Sequence, residues 1–361
     1  MLKIAGTLNS STYQTKLKNS KTSKGGIENF EKKVSQMLLF FIPTFIIIIY
    51  FIFKETGFKG LIGRININYL ILLIALMLFA WLLNTIKFFF VVRLAKGRVT
   101  FNKAFEIVLA AIFGANITPF YTGGIATQTY FLTKFAETIG RSIAISVLFL
   151  ILTLIVSLIF AIILIFIPHG FVTGLRSGFI YGIAGIMVAW SLIAFFFMKF
   201  PQKAKTLINF FFKIFLKRPP DGVKLDKGLN DFSQGLNYFF SQNKLLLLFI
   251  VILSILTQTV SILITPVSFL VLGISFSFKE VFITQIAVQL TASMGFTPGG
   301  IGIIETAYAG MFYPFAKDSI ALLTFLYRLA YFYVPALVGV FFFSKLLREE
   351  RFKSSSPKEV K

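Results

Sequence analysis

Residues 285–315 read QIAVQLTASMGFTPGGIGIIETAYAGMFYPF. The run is apolar and helix-like on both sides of a break at Thr297-Pro298-Gly299-Gly300, and Glu305 follows in an otherwise apolar neighbourhood. A break at membrane depth leaves N–H and C=O groups without helical partners. It is tolerated only where protein or a water-filled cavity surrounds it. An ionisable residue beside such a break marks a site by default, and discontinuous helices are where secondary transporters hold their cargo. The plain alternative is a Pro/Gly kink whose glutamate is satisfied by a neighbouring arginine.

The rest of the chain places this stretch in a membrane. Of 361 residues, 57% are hydrophobic and only 14% charged, and 47 are Phe. A soluble domain is nearer half apolar and a quarter charged. The net charge of +22 would suggest nucleic acid in a soluble protein. Here the basic residues lie between apolar runs, so they read as topology signals and anionic-lipid contacts, not nucleic-acid contacts. Without Cys there are no disulfides or thiolate metal sites, and the single His, His169, sits at the end of an apolar run.

In chain order, residues 1–36 read as a basic, flexible cytoplasmic tail without the apolar core of a signal peptide. Spans are predicted at 37–53, 69–92, 142–167, 179–198, 245–272 and 319–343. Residues 199–244 form a basic loop in which Phe210, Phe211, Phe212, Ile214 and Phe215 interleave with Lys. That pattern fits a helix on the bilayer surface or a connector helix with a solvated face. Residues 346–361 read as a basic C-terminal tail.

A second broken stretch precedes the first in the chain. Ala104–Asn116 is interrupted at Thr118-Pro119-Phe120-Tyr121-Thr122-Gly123-Gly124 and resumes through Gln128. Neither half is long enough to cross, since 13 residues give about 20 Å, so a re-entrant hairpin is expected. Gly123-Gly124-Ile125 pairs in pattern with Gly299-Gly300-Ile301. Counting crossings from a cytoplasmic N-terminus orients the two hairpins oppositely. The fold class is therefore all-α: a polytopic membrane protein with about six full spans and two re-entrant broken-helix hairpins in an inverted-topology repeat. The repeat halves are about 37–167 and 179–343, within a transmembrane domain at 37–345. Both termini are expected in the cytoplasm, and the Lys/Arg bias of the loops points the same way.

Chemical apparatus is not evident. Gly300-Ile301-Gly302 lacks the βαβ context of a dinucleotide fingerprint, one His excludes HExxH, and no His/carboxylate metal cluster exists. No cofactor is expected, and no catalytic residue. An outer loop at 54–68 offers Glu55 alone as an acid.

TPGGIGIIE at 297–305, TPFYTGGIATQ at 118–128 and Arg328 in LYRLAYFYVPALVG resemble the flippase-like family, the transmembrane domain of lysylphosphatidylglycerol synthase or multiple peptide resistance factor. The first hairpin departs from the family in carrying Ile125, Ala126 and Thr127 where many members have a charge. The resemblance implies translocation of a lipid such as lysylphosphatidylglycerol between leaflets of the cell membrane, and with it resistance to cationic antimicrobial peptides. The chain ends about 16 residues after its last predicted span, so the family's soluble synthase domain is expected to be missing and lysyl transfer with it. The rival reading is a membrane component of lipid or lipid-linked sugar modification that acts with a separate synthase or glycosyltransferase. Oligomeric state, a homo-oligomer included, stays open.

The candidate substrate-binding residues follow. Glu305 and Glu106 are expected to meet a cationic headgroup, and Arg328 and Lys87 its phosphate. Thr297, Pro298, Gly299 and Gly300 in one hairpin, and Asn116, Pro119, Gly123, Gly124 and Gln128 in the other, bring backbone and polar groups to the cargo. Glu305 and Arg328 both fall near the midplane, so their side chains are expected to face one interior cavity with cargo between them.

Overall fold

The computed structural model describes residues 65–135, 137–166, 222–241, 244–292 and 295–355, with isolated positions between 182 and 196. The expectations for the N-terminal tail, the span at 37–53, most of the loop at 54–68, most of the span at 179–198, His169 and Phe210–Phe215 fall outside the described residues.

Every element described is helical, as the apolar periodicity predicts. Asn66 opens α1 (Ile67–Leu94) by accepting the Asn68 N–H at 3.1 Å, and Thr100 caps α2 (Phe101–Asn116) through the Lys103 N–H. These caps satisfy donors that a helix start leaves free. A tight turn at Pro119–Tyr121 leads into α3 (Thr122–Phe135), and α4 (Ile139–Phe166) follows. The chain continues with α5 (Gly222–Phe240), α6 (Lys244–Val271) and α7 (Phe278–Ala292). A second tight turn, Pro298–Gly300, precedes α8 (Ile303–Ala316). The last run is α9 (Ile320–Arg328), a π-turn at Leu329–Tyr333, and α10 (Val334–Ser355).

Helices α1, α4 and α6 have 28 residues each, about 42 Å, enough to cross a hydrocarbon core of about 30 Å with residues to spare. Together with the apolar stretch Pro298–Glu350 they make this a polytopic membrane protein. Their outer faces carry exposed Ile71, Ile74 and Leu78 on α1, Ile155 and Ile162 on α4, and Leu248, Ile252 and Leu256 on α6. Apolar exposure along mid-span faces is what lipid contact requires. The predicted spans 69–92, 142–167 and 245–272 match these three helices to within three residues at every end.

The two broken stretches fold as helical hairpins: α2 packs against α3, and α7 against α8. α10 lies along α2, and Gly339 permits the contact: a Cβ there would stand 2.6 Å from the Leu109 carbonyl oxygen. α1 packs along α6, and α4 joins α3, α5, α6 and α7. The basic loop contributes α5, amphipathic and seated on α4, with Leu229, Leu236 and Phe239 buried.

Candidate functional site

The tips of the two hairpins meet. The Phe120 N–H donates to the Gly295 carbonyl at 2.8 Å, and the turn Pro119–Tyr121 packs on the turn Pro298–Gly300. Each turn is built the same way. An extended threonine (Thr118, ψ 147; Thr297, ψ 153) precedes proline at the first helical position, where the missing N–H costs nothing. Two left-handed residues then follow. In the second hairpin these are Gly299 (φ 60) and Gly300 (φ 65), in the first Phe120 (φ 53) and Tyr121 (φ 56).

This corrects the pairing drawn from the sequence. The counterparts of Gly299 and Gly300 are Phe120 and Tyr121, not Gly123 and Gly124. Left-handed backbone favours glycine but does not require it, so glycine spacing misleads here. Gly123 and Gly124 instead face α2. A Cβ on Gly123 would stand 2.7 Å from Thr118 Oγ1, and one on Gly124 3.1 Å from Ala115 Cβ. They serve helix–helix approach within the first hairpin, where the Thr118 hydroxyl accepts the Gly123 N–H at 2.7 Å. Gly299 likewise approaches the protein itself: a Cβ there would meet the Phe332 ring and the Asn116 carbonyl oxygen.

At this junction sits Arg328, the last residue of α9, 2% exposed. Its Nη1 donates to the Gly299 carbonyl at 3.1 Å, its guanidinium lies 4.3 Å from the Phe332 ring centroid, and its Nε is 2.8 Å from Glu305 Oε1. That last contact is an ion pair out of line with the N–H axis, since neither atom makes an aligned hydrogen bond. Arg328 Nη2 is buried and makes no hydrogen bond. Glu305 stands in the first turn of α8, where its Oε2 accepts the Gly302 N–H at 2.8 Å. A carboxylate there both caps the helix and complements its dipole. The side chains share one interior place, as expected, and they touch. The turn Pro298–Gly300 and the π-turn after Arg328 bring the two within reach.

The structure separates the other charged candidates from this pair. Glu106 lies in the first turns of α2, about 15 Å along that helix from Asn116 at the tip. There it pairs with Lys103 at 2.6 Å and Lys345 at 2.5 Å. Lys103 also reaches Glu349 at 2.6 Å, and Lys134 pairs with Glu350 at 2.5 Å, a carboxylate that also accepts the Tyr130 hydroxyl. This network ties the open end of the first hairpin to α10. Burial opposes the charge on Glu106, but hydrogen bonds from Lys103 and Lys345 outweigh it and hold the carboxyl below the ordinary carboxylate range. Its cationic partners here are Lys103 and Lys345. Lys87, 2% exposed, lies between α1 and α4, donating to Thr153 Oγ1 at 3.3 Å with the Phe149 ring centroid 4.2 Å away.

Of the remaining candidates, Asn116 sits at the tip junction, its Nδ2 donating to the Phe332 carbonyl at 3.5 Å. Thr297 donates to the Ile301 carbonyl at 2.9 Å, Pro119 and Pro298 open the two turns, and Gln128 is buried within the first hairpin.

Several residues of the site were not singled out in the sequence. Tyr327 lies beside Arg328 and Glu305 and stacks on Tyr308 at 4.1 Å between ring centroids. Tyr331 donates to the Ser261 carbonyl. The Thr265 hydroxyl donates to Gln285 Oε1 at 2.9 Å. A tyrosine pair spaced by four residues, Tyr327 and Tyr331, next to an arginine in an apolar run was the available signal. On the other side of α9 an apolar groove of about 360 Å³ opens between α1 and the α9–α10 run, lined by Met77, Trp81, Leu326, Leu329 and Val334 among others.

The comparison with known families addresses this arrangement of helices. A family model described as the lysylphosphatidylglycerol synthase TM region matches residues 36–339. The chain belongs to that family. The matched region takes in both hairpins and Arg328, and it is a transmembrane region without a catalytic domain. No curated protein and no solved structure matches the chain.

Proposed function

We propose that this member of the lysylphosphatidylglycerol synthase transmembrane-region family translocates a phospholipid between leaflets, binding the headgroup where the hairpin tips meet. The observation that carries the reading is the Glu305–Arg328 pair at the junction of two broken helices, with Arg328 Nη2 buried and making no hydrogen bond. An arginine with unused donors is suited to a phosphodiester. A headgroup carrying both charges can exchange into the pair. Its phosphate takes Glu305's place at Arg328, and its ammonium takes Arg328's place at Glu305. The exchange leaves no buried charge uncompensated, and stranding one is costly. A purely anionic lipid would strand Glu305. An aminoacylated phospholipid such as lysylphosphatidylglycerol has the required chemistry.

The membrane in question is the cell membrane, with both termini in the cytoplasm. The support is positional. Arg93, Lys96, Arg98, Lys103, Lys134, Arg141 and Lys345 lie at the helix ends that this orientation places inside. The test is lipid retention. Protein purified in mild detergent is expected to carry an aminoacylated or zwitterionic phospholipid by mass spectrometry, and Arg328→Met to lose it. Equal lipid content in the two proteins would overturn the assignment of the headgroup site.

A further inference from the structure

We propose that a stripe of hydrogen-bonding side chains on the inner face of α4 is a proton path. It runs from the face bearing Lys96, Arg98 and Lys103 to the Glu305–Arg328 pair, with Lys87 as its proton-carrying side chain. The proposal rests on the lipid-translocation reading for its purpose and names the coupling ion of that process.

The stripe is a matter of helical spacing. Ser142, Ser146, Thr153 and Ser157 stand at i, i+4, i+11 and i+15 of α4. At 100° per residue these fall within an arc of about 60°, over about 22 Å of depth. Ser142 and Ser146 are fully buried and Ser157 nearly so. An apolar span has no packing need for hydroxyls lined up on its buried side.

Other helices reach toward this stripe at successive depths. From α3 the Thr129 hydroxyl donates to Ser146 Oγ at 3.1 Å. From α1 the Lys87 ammonium donates to Thr153 Oγ1. From α6 the Gln258 amide meets Ser157 Oγ at 3.4 Å, and from α7 the Gln289 amide donates to Gln258 Oε1 at 2.6 Å. Gln258 lies halfway along its 28-residue helix and is only half-buried, as is Gln289. A polar group left unsatisfied against lipid is expensive, and these two amides bond to each other and to Ser157.

One turn along α7 from Gln289 stands Gln285, which accepts from the Thr265 hydroxyl and faces the hydroxyls of Tyr327 and Tyr331. Tyr327 is the neighbour of Arg328 and Glu305. Polar groups are thus spaced from the basic face to the ion pair as separate bonded sets, Thr129–Ser146, Lys87–Thr153 and Gln289–Gln258–Ser157, with intervals, as at the unpartnered Ser142 hydroxyl, for water to bridge.

Lys87 is the titratable group on this line. The Thr153 hydroxyl and the Phe149 ring of α4 meet it. Among the described residues no carboxylate of α2, α4, α5 or α6, the helices packed on α1, pairs with it. A charge buried within a span is expensive, and Lys87 is buried about two turns before the end of α1. A lysine kept there without a counter-ion is a group whose proton is meant to move. The groups facing the far end are Arg328, the Gly302 N–H and the neighbouring Tyr121, Tyr327 and Tyr333. A proton arriving from water at the basic face ends on the Glu305 carboxylate. Neutral Glu305 releases Arg328, whose donors then take the lipid phosphate, and loss of that proton restores the carboxylate that takes the lipid ammonium. The proton leaves Glu305 on the opposite side, past exposed Gly302 and Thr306.

The experiment uses the full chain in vesicles of phosphatidylethanolamine and phosphatidylglycerol loaded with a pH-sensitive dye. A potassium diffusion potential set with valinomycin drives protons inward. Wild type is expected to admit protons faster than empty vesicles, Lys87→Met to fall to the empty-vesicle rate, and Ser157→Ala, a smaller change, to fall between. Melting curves identify any variant that is misfolded, and Ser157→Ala then decides alone. Wild type indistinguishable from empty vesicles, or both variants indistinguishable from wild type, overturns the proton path. In the same vesicles a dithionite-quenched fluorescent lysylphosphatidylglycerol reports translocation without any gradient. Its failure in wild type sinks the lipid reading and leaves the proton result standing. With both intact, an imposed pH gradient should change the translocation rate by about 5–150-fold in wild type and leave Lys87→Met unchanged.

Discussion

Replacing Glu305 with Gln removes one charge and one acceptor from a place that uses both. The carboxylate serves Arg328 Nε through Oε1 at 2.8 Å and the Gly302 N–H through Oε2 at 2.8 Å. An amide has a single acceptor oxygen, so one donor of the two must face an NH2 group. Whichever is kept, Arg328 loses its counter-ion while 2% exposed. Breaking a buried pair from one side costs about 3–5 kcal/mol. The Gly299 carbonyl at 3.1 Å and the Phe332 ring remain to the guanidinium, which places the expected loss at the low end, about 3 kcal/mol. The double variant Glu305→Gln/Arg328→Met has no stranded charge and should recover most of that loss, because well-packed neutral replacements of buried pairs are often tolerated. Unfolding in mixed micelles of wild type, both single variants and the double variant gives the coupling term directly. Lipid translocation should be lost in all three. A Glu305→Gln protein as stable as wild type, with purely additive single and double variants, would refute the reasoning.

Three further outcomes follow from the geometry. Gly299→Ala should destabilise by about 1–2 kcal/mol from left-handed backbone alone, and by more because its Cβ would stand 2.8 Å from the Asn116 carbonyl oxygen; Phe120→Gly should cost little or stabilise, since φ 53 is strained only for a residue with a Cβ, and paired melting curves check the opposite signs. The Glu106 carboxyl is held below its ordinary range, so its contribution to stability is present above the unfolded pKa and is lost as pH falls through the folded one; a melting series taken down through the ordinary carboxylate range should fall for wild type and stay flatter for Glu106→Gln. Single cysteines at Arg98 and Lys317, introduced into this Cys-free chain, should react with an impermeant reagent from opposite sides of the membrane.

The spans at 69–92, 142–167 and 245–272 were legible because each exceeds the bilayer thickness in mostly apolar sequence, a signal that needs no partner. The break at Thr297–Gly300 was legible for a related reason: proline and glycines inside an apolar run cannot continue a helix. That Glu305 and Arg328 share one place followed from the expense of a lone charge in lipid. Their direct contact did not, because a reach of one side chain depends on turn geometry. The π-turn at Leu329–Tyr333 left no mark, since LAYFY suits an ordinary helix equally well. Gly123 and Gly124 were misread because glycine also serves close helix packing, while Phe120 and Tyr121 took the left-handed conformation instead. The ion-pair network around Glu106 was not legible because Lys345 and Glu349, its neighbours in space, are more than 200 residues away in sequence. The polar stripe on α4 was hidden likewise: Ser142, Ser146, Thr153 and Ser157 look like scattered small residues until Lys87, Gln258 and Gln289 arrive from other helices.

The central claim is that this chain carries a phospholipid headgroup past Arg328. The most direct measurement is leaflet exchange in vesicles containing the purified protein alone, with fluorescent lysylphosphatidylglycerol placed in both leaflets and dithionite added outside. The account predicts quenching well beyond the outer-leaflet half for wild type, and quenching that stops at that half for Arg328→Met in folded, reconstituted form. Equal quenching by the two proteins, or none beyond the outer leaflet for wild type, would contradict it.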